Sequence, residues 1–209
     1  MTEAIFKGLG LGLILAVSVG PVIFTILKQS INNGHQGGFS FVGGVWVSDI
    51  IWVLISNLFS SLVMELLNYK VTIGVIGALF VFSLGIFYVF FKKVKVDDNN
   101  VILIDFGRKD FTKAFMSGFI INTLNPSVIF FWLINTTAFA SSHSVSERIV
   151  LFSVCLGINI IADILKVVLA AKIRHKLNPH NISIINKVSG AILIIFAISI
   201  AYGILFLNK

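Results

Sequence analysis

Ser48-Asp-Ile-Ile-Trp-Val-Leu54 and Ala162-Asp-Ile-Leu-Lys-Val-Val168 each place an aspartate inside a stretch apolar enough to cross a bilayer. An ionised carboxylate in hydrocarbon is costly and survives there only facing a partner or a wet cavity. Two such residues, Asp49 and Asp163, in similar local sequences point to a transport function and to an internal duplication. Around them the chain divides into six apolar stretches, roughly 5–27, 39–60, 71–91, 114–138, 149–171 and 184–207. Each reaches the ~20 residues a membrane-spanning helix needs.

Composition agrees. Of the 209 residues, 57% are hydrophobic and 12% charged, against about 25% charged in a typical soluble domain; mean hydropathy is +0.99. The expected architecture is an all-α integral membrane protein forming a single transmembrane domain over 1–209, because lipid tolerates only helices and closed barrels. The net charge of +7 reads as a topology signal rather than as an affinity for nucleic acid. Eleven basic residues (Lys28, Lys92, Lys93, Lys95, Arg108, Lys109, Lys113, Lys172, Arg174, Lys176 and Lys187) fall in connections or at the edge of a span on one side. Four (Lys7, Lys70, Arg148 and Lys209) fall on the other, which puts the termini outside. The first span lacks a charged leader and reads as a retained helix.

Two further alignments extend the duplication. Gly12 to Pro21 matches Gly118 to Pro126, and Gly77 to Tyr88 matches Gly190 to Tyr202. The two units, about 5–91 and 114–207, flank a cytoplasmic connection at about 92–113. A unit of three spans is odd, so its second copy enters from the opposite side. Six helices in two inverted repeats are a common plan of secondary transporters.

Pro21 and Pro126 each remove a backbone donor inside a span; Gly20 adds freedom to the first break, while Asn122 and Asn125 can pair with backbone freed at the second. A packing kink is the alternative reading of each. Counted at ~1.5 Å per residue, Asp49 lies about 15 Å, Asp163 about 13 Å, Pro21 about 10 Å and Pro126 about 20 Å from the cytoplasmic boundary. In a hydrocarbon layer ~30 Å thick, all four converge on the centre. Asn159, Asp163 and Lys166 share one helical face, and Asp163 can pair with Lys166 at i, i+3, either as part of a site or as a structural ion pair. Asp49 has no basic neighbour within a turn and is the better candidate for a group that protonates during the cycle, with a structural hydrogen bond as the alternative.

Other residues read as packing. Gly8, Gly12, Ala16 and Gly20 form a small-residue stripe suited to a bundle contact or a homodimer. Trp46, Trp52 and Trp132 read as core or lipid-facing residues, with an aromatic lining around a substrate as the alternative. His35, His143, His175 and His180 fall in connections without metal-ligand spacing, Cys155 stands alone, and no Gly-rich phosphate loop is present. Neither metal nor cofactor is expected, nor ATP hydrolysis by this chain.

The stretch Gly34-His-Gln-Gly-Gly38-Phe-Ser-Phe-Val-Gly-Gly44-Val-Trp-Val-Ser-Asp49 resembles the glycine-spaced, aspartate-ended segment of the lysine exporter (LysE/RhtB) family. Val19-Gly20-Pro21 is similar to that family's Pro-Gly-Pro, Asn125-Pro126 with Phe130-Phe131-Trp132 to its Asn-Pro motif, and Asn186-Lys187 to Gly190 to the lead-in of its last helix. Val19, Val22 and Ser127 depart from the pattern, which leaves the substrate open. The resemblance implies a dimeric, gradient-driven exporter of amino acids or related metabolites in the bacterial inner membrane. Transport of another small solute or cation, an intramembrane aspartyl enzyme and a non-transporting scaffold are the rival readings.

Overall fold

The computed structural model describes residues 1–18, 20–58, 65–66, 68–91, 107–174 and 179–206. Val19, Lys92, Lys93, Lys95, His175, Lys176, Lys209 and most of the 92–113 connection lie outside the described residues. Among the described residues seven α-helices follow in chain order: α1 Thr2–Val17, α2 Pro21–Leu58, α3 Lys70–Ile86 (continued by a π turn, Phe87–Phe91), α4 Arg108–Thr123, α5 Pro126–Ala140, α6 Val145–Arg174 and α7 Pro179–Phe206. Strands are absent among the described residues. Among the described residues four helical segments are long and apolar enough to cross a membrane, five if the bent pair α4 and α5 forms one span.

The first two expected spans are drawn differently by the structure. The stretch 5–27 is not one kinked helix. α1 ends at Val17, and Pro21 opens α2. At the first helical position the missing proline N–H removes nothing, since that donor has no intrahelical partner. Residues 28–38, expected as a connection, are helical as well. The direction changes at Gly34 alone, whose φ of 65° and ψ of −163° are open only to glycine. Lys28 is therefore not a loop residue: it is buried, with its ammonium over the Tyr88 ring. His35 lies within α2, stacked near Phe39.

The expected span 114–138 is likewise two helices. α4 begins at Arg108, where the Asp110 carboxylate accepts the Gly107 N–H, and α5 leaves it at 58°. Asn125 caps α5 by accepting the Ser127 N–H at 3.1 Å, with Pro126 at the first helical position.

Close approach of helices is set by glycines. Ala4, Gly8, Gly12 and Ala16 form the buried face of α1. A Cβ on Gly12 would stand 2.9 Å from the Cys155 carbonyl of α6. The stripe thus serves packing inside the bundle, so the homodimer expected from the resemblance would need another face. Gly118 of α4 meets the Phe41 carbonyl of α2 in the same way.

One end of the bundle carries contacts of Met1 with Glu147, Lys7 with His143, and Arg148 with Asn57. The other carries Asn32 with Asn186, and Ser40 with the Phe111 carbonyl. Between them lie two apolar clusters, one around Trp132, Leu151 and Phe152 and one around Ile26, Phe41 and Val167.

Candidate functional site

Between those clusters the middle of the bundle is polar. The Asp49 carboxylate, 2% exposed, receives the Asn122 amide at 2.8 Å and the Trp132 indole N–H at 3.0 Å on Oδ1. Asn159 approaches Oδ2 at 3.5 Å, the long end of a hydrogen bond. All three donors come from beyond residue 121. Asp163 is equally buried; its Oδ1 takes the Lys166 ammonium at 2.9 Å and its Oδ2 the Trp46 indole at 3.1 Å.

The difference between the two acids is chemical. Asp163 has a cation as partner and a donor on each oxygen. Asp49 has only neutral donors, and two of them share one oxygen. Hydrogen bonds to a charged group are worth about 1.5–3 kcal/mol each, so these donors offset part of the desolvation cost of Asp49 without cancelling its charge.

Both carboxylates border one cavity of about 90 Å³, together with Ser18, Gly20, Asn122, Asn125, Asn159 and Lys166. That is room for about three water molecules at ~30 Å³ each. Every polar residue singled out from the sequence, Asp49, Asp163, Lys166, Asn122, Asn125 and Asn159, reaches this wall. Gly20 does too, at the break after α1. Pro21 and Pro126 are buried beside it rather than on it, and Pro126 packs on Gly77 of α3. Asn125 does pair with the freed backbone of its break; the Asn122 amide instead crosses to Val45 and Asp49.

Sequence reading missed the two tryptophans. Trp46 and Trp132 are not mere packing residues: each donates to the aspartate of the other half. The available signal was that a buried indole N–H needs an acceptor, with few acceptors in a chain this apolar. Trp52, Ser56 and Thr136 carry buried polar atoms without a partner among the described residues. They extend from the level of Asp49 toward the Asn57 end.

The family model of the LysE type translocators matches residues 13–203. No curated protein and no solved structure is significantly similar. A match over nearly the whole length, on an all-helical chain with several membrane-spanning segments, decides the class: this multi-pass membrane protein belongs to the LysE type translocator family, whose members are translocators and not enzymes.

Proposed function

We propose that the chain is a proton-coupled, secondary-active exporter of amino acids or related small metabolites, working by alternating access in the bacterial inner membrane. The observation that carries this reading is a buried carboxylate, Asp49, on a central cavity with neutral donors only. Such a group can exchange a proton for a substrate ammonium. Oδ1 is occupied by two donors, which leaves Oδ2, approached only by the long Asn159 contact, as the oxygen for either cation. Lys166 and the amide of Asn125 are suited to a substrate carboxylate across the same space.

Alternating access asks for two halves of like construction, and six spans in two inverted repeats meet that need. Supporting this reading, Gly12 contacts Cys155 as Gly118 contacts Phe41. Gly12 and Gly118 correspond in the repeat alignment, and Phe41 and Cys155 stand eight residues before Asp49 and Asp163 respectively. In each half a helix stops and a proline starts the next. On this scheme α1 with the start of α2, and α4 with α5, count as two broken spans, which gives six.

A cavity of about 90 Å³ is smaller than the ~300–1,000 Å³ of ordinary small-molecule sites, so the conformation described is contracted and solute entry requires the walls to part. The broken helices are the elements suited to move.

The test is export of labelled amino acids from proteoliposomes under an imposed proton gradient. Asp49→Asn keeps the shape and the donors' partner oxygen but removes the charge. Expected is loss of gradient-driven export with normal membrane insertion; export at the wild-type rate would remove Asp49 from the mechanism.

A further inference from the structure

A second, larger cavity lies on the outside of the bundle, between α2 and α6, with a volume of about 430 Å³. On α2 it runs from Ile50 to Leu58 and on α6 from Val145 to Leu156. At ~1.5 Å per residue these stretches are about 12 and 16 Å long, close to half of a ~30 Å hydrocarbon layer. The groove is thus one leaflet deep. Its walls are aliphatic and open outward, with Leu54 52% and Ile149 62% exposed.

Apart from Ser153, polarity is confined to one end. There Arg148 donates through Nη1 to Asn57 at 3.0 Å, while its buried Nε has no hydrogen-bond partner among the described residues. Arg148 makes no ion pair among the described residues, and an uncompensated guanidinium at the interface end of an apolar channel matches a phosphate above an acyl chain, because guanidinium binds phosphate through paired N–H groups. We infer that this groove is a binding site for an anionic glycerophospholipid, its phosphate on Arg148 and one acyl chain between α2 and α6. A second copy of the chain fits less well. Two-fold symmetry about the membrane normal would bring its own Arg148 to the same depth, opposing like charges in a self-complementary contact.

The groove also backs onto the centre of the protein. Its floor includes Phe152, whose ring lies edge-on to Trp132 at 6.1 Å, and Trp132 donates to Asp49. A chain held in the groove therefore supports the tryptophan that orients the carboxylate.

Native mass spectrometry of the detergent-purified full chain, titrated with phosphatidylglycerol or with phosphatidylcholine of the same acyl composition, tests the site. Expected is phosphatidylglycerol bound about tenfold more tightly. Arg148→Gln, whose amide can still reach Asn57, removes this preference. Ser153→Trp, which fills the groove and leaves Arg148 in place, weakens both lipids. Equal binding of the two lipids by the wild type, unchanged in Arg148→Gln, overturns the inference. Ser153→Trp turning a dimer into a monomer with lipid binding intact also overturns it, since the groove would then seat a second copy.

Discussion

Trp132 of α5 joins three helices through one side chain: its ring packs on Phe152 of α6 and its N–H ends on Asp49 of α2. Trp132→Phe keeps most of that packing and removes only the donor. One hydrogen bond to a charged acceptor is worth about 1.5–3 kcal/mol, so this variant should lose about that much stability, read as a lower melting temperature, and export more slowly. An unchanged melting temperature would mean that Asn122 alone suffices for Asp49. At this scale the sequence was informative wherever a residue was out of place in lipid. Asp49, Asp163, Lys166 and the asparagines announce themselves, because each is expensive in hydrocarbon without company. Trp46 and Trp132 do not, since an indole is at home in an apolar helix and only the fold reveals which acceptor it meets. Lys28 misled for a related reason: a lysine beside polar residues reads as a loop, and its burial depends on Tyr88, sixty residues further along the chain.

For the helices, the decisive features are where backbones touch and where they reverse. Gly10 and Gly12 lie two positions apart on α1 with opposite surroundings. A Cβ on Gly10 would meet nothing within 4 Å, whereas on Gly12 it would press into Ile158 at 2.7 Å and the Cys155 carbonyl at 2.9 Å. Gly10→Ala should gain up to about 1 kcal/mol from helix propensity. Gly12→Ala should lose about 1–3 kcal/mol from overpacking. Thermal denaturation in detergent distinguishes them, and equal effects would contradict the α1–α6 contact. Gly34→Ala should cost about 1–3 kcal/mol, because the backbone there is one that side chains avoid; the same measurement checks it, and no loss would argue against the reversal inside α2. The prolines marked both breaks correctly from sequence, but not their kind. A proline can kink a continuing helix or begin a new one, and what precedes it in space settles the matter. Gly37 and Gly38 fell in the expected connection 28–38 for the same reason: glycine is read as freedom, and here both sit in close helix contact.

The whole molecule presents two dissimilar ends, one holding Met1, Asn57 and His143 and the other Asn32, Phe111 and Asn186. Single cysteines at Thr2 and Ser142, in a Cys155→Ser background, should react with an impermeant maleimide added outside intact cells. Cysteines at Lys113 and His180 should react only after permeabilisation. Labelling of both pairs from one side would refute the two-ended arrangement. The number of membrane segments was less legible than their existence, since α1 alone is 16 residues long and counts as part of a span only together with the start of α2.

Among the described residues every hydrogen-bond donor to the Asp49 carboxylate comes from residues 122, 132 and 159, all translated well after the aspartate itself. A nascent chain that has inserted α1 to α3 thus carries an orphan acid at the depth where water is scarcest. Until α4 to α6 arrive, that acid has to wait beside the insertion machinery, in a water defect, or protonated. Biogenesis of this translocator is therefore committed late: the first half becomes a settled membrane protein only when the second half closes over it.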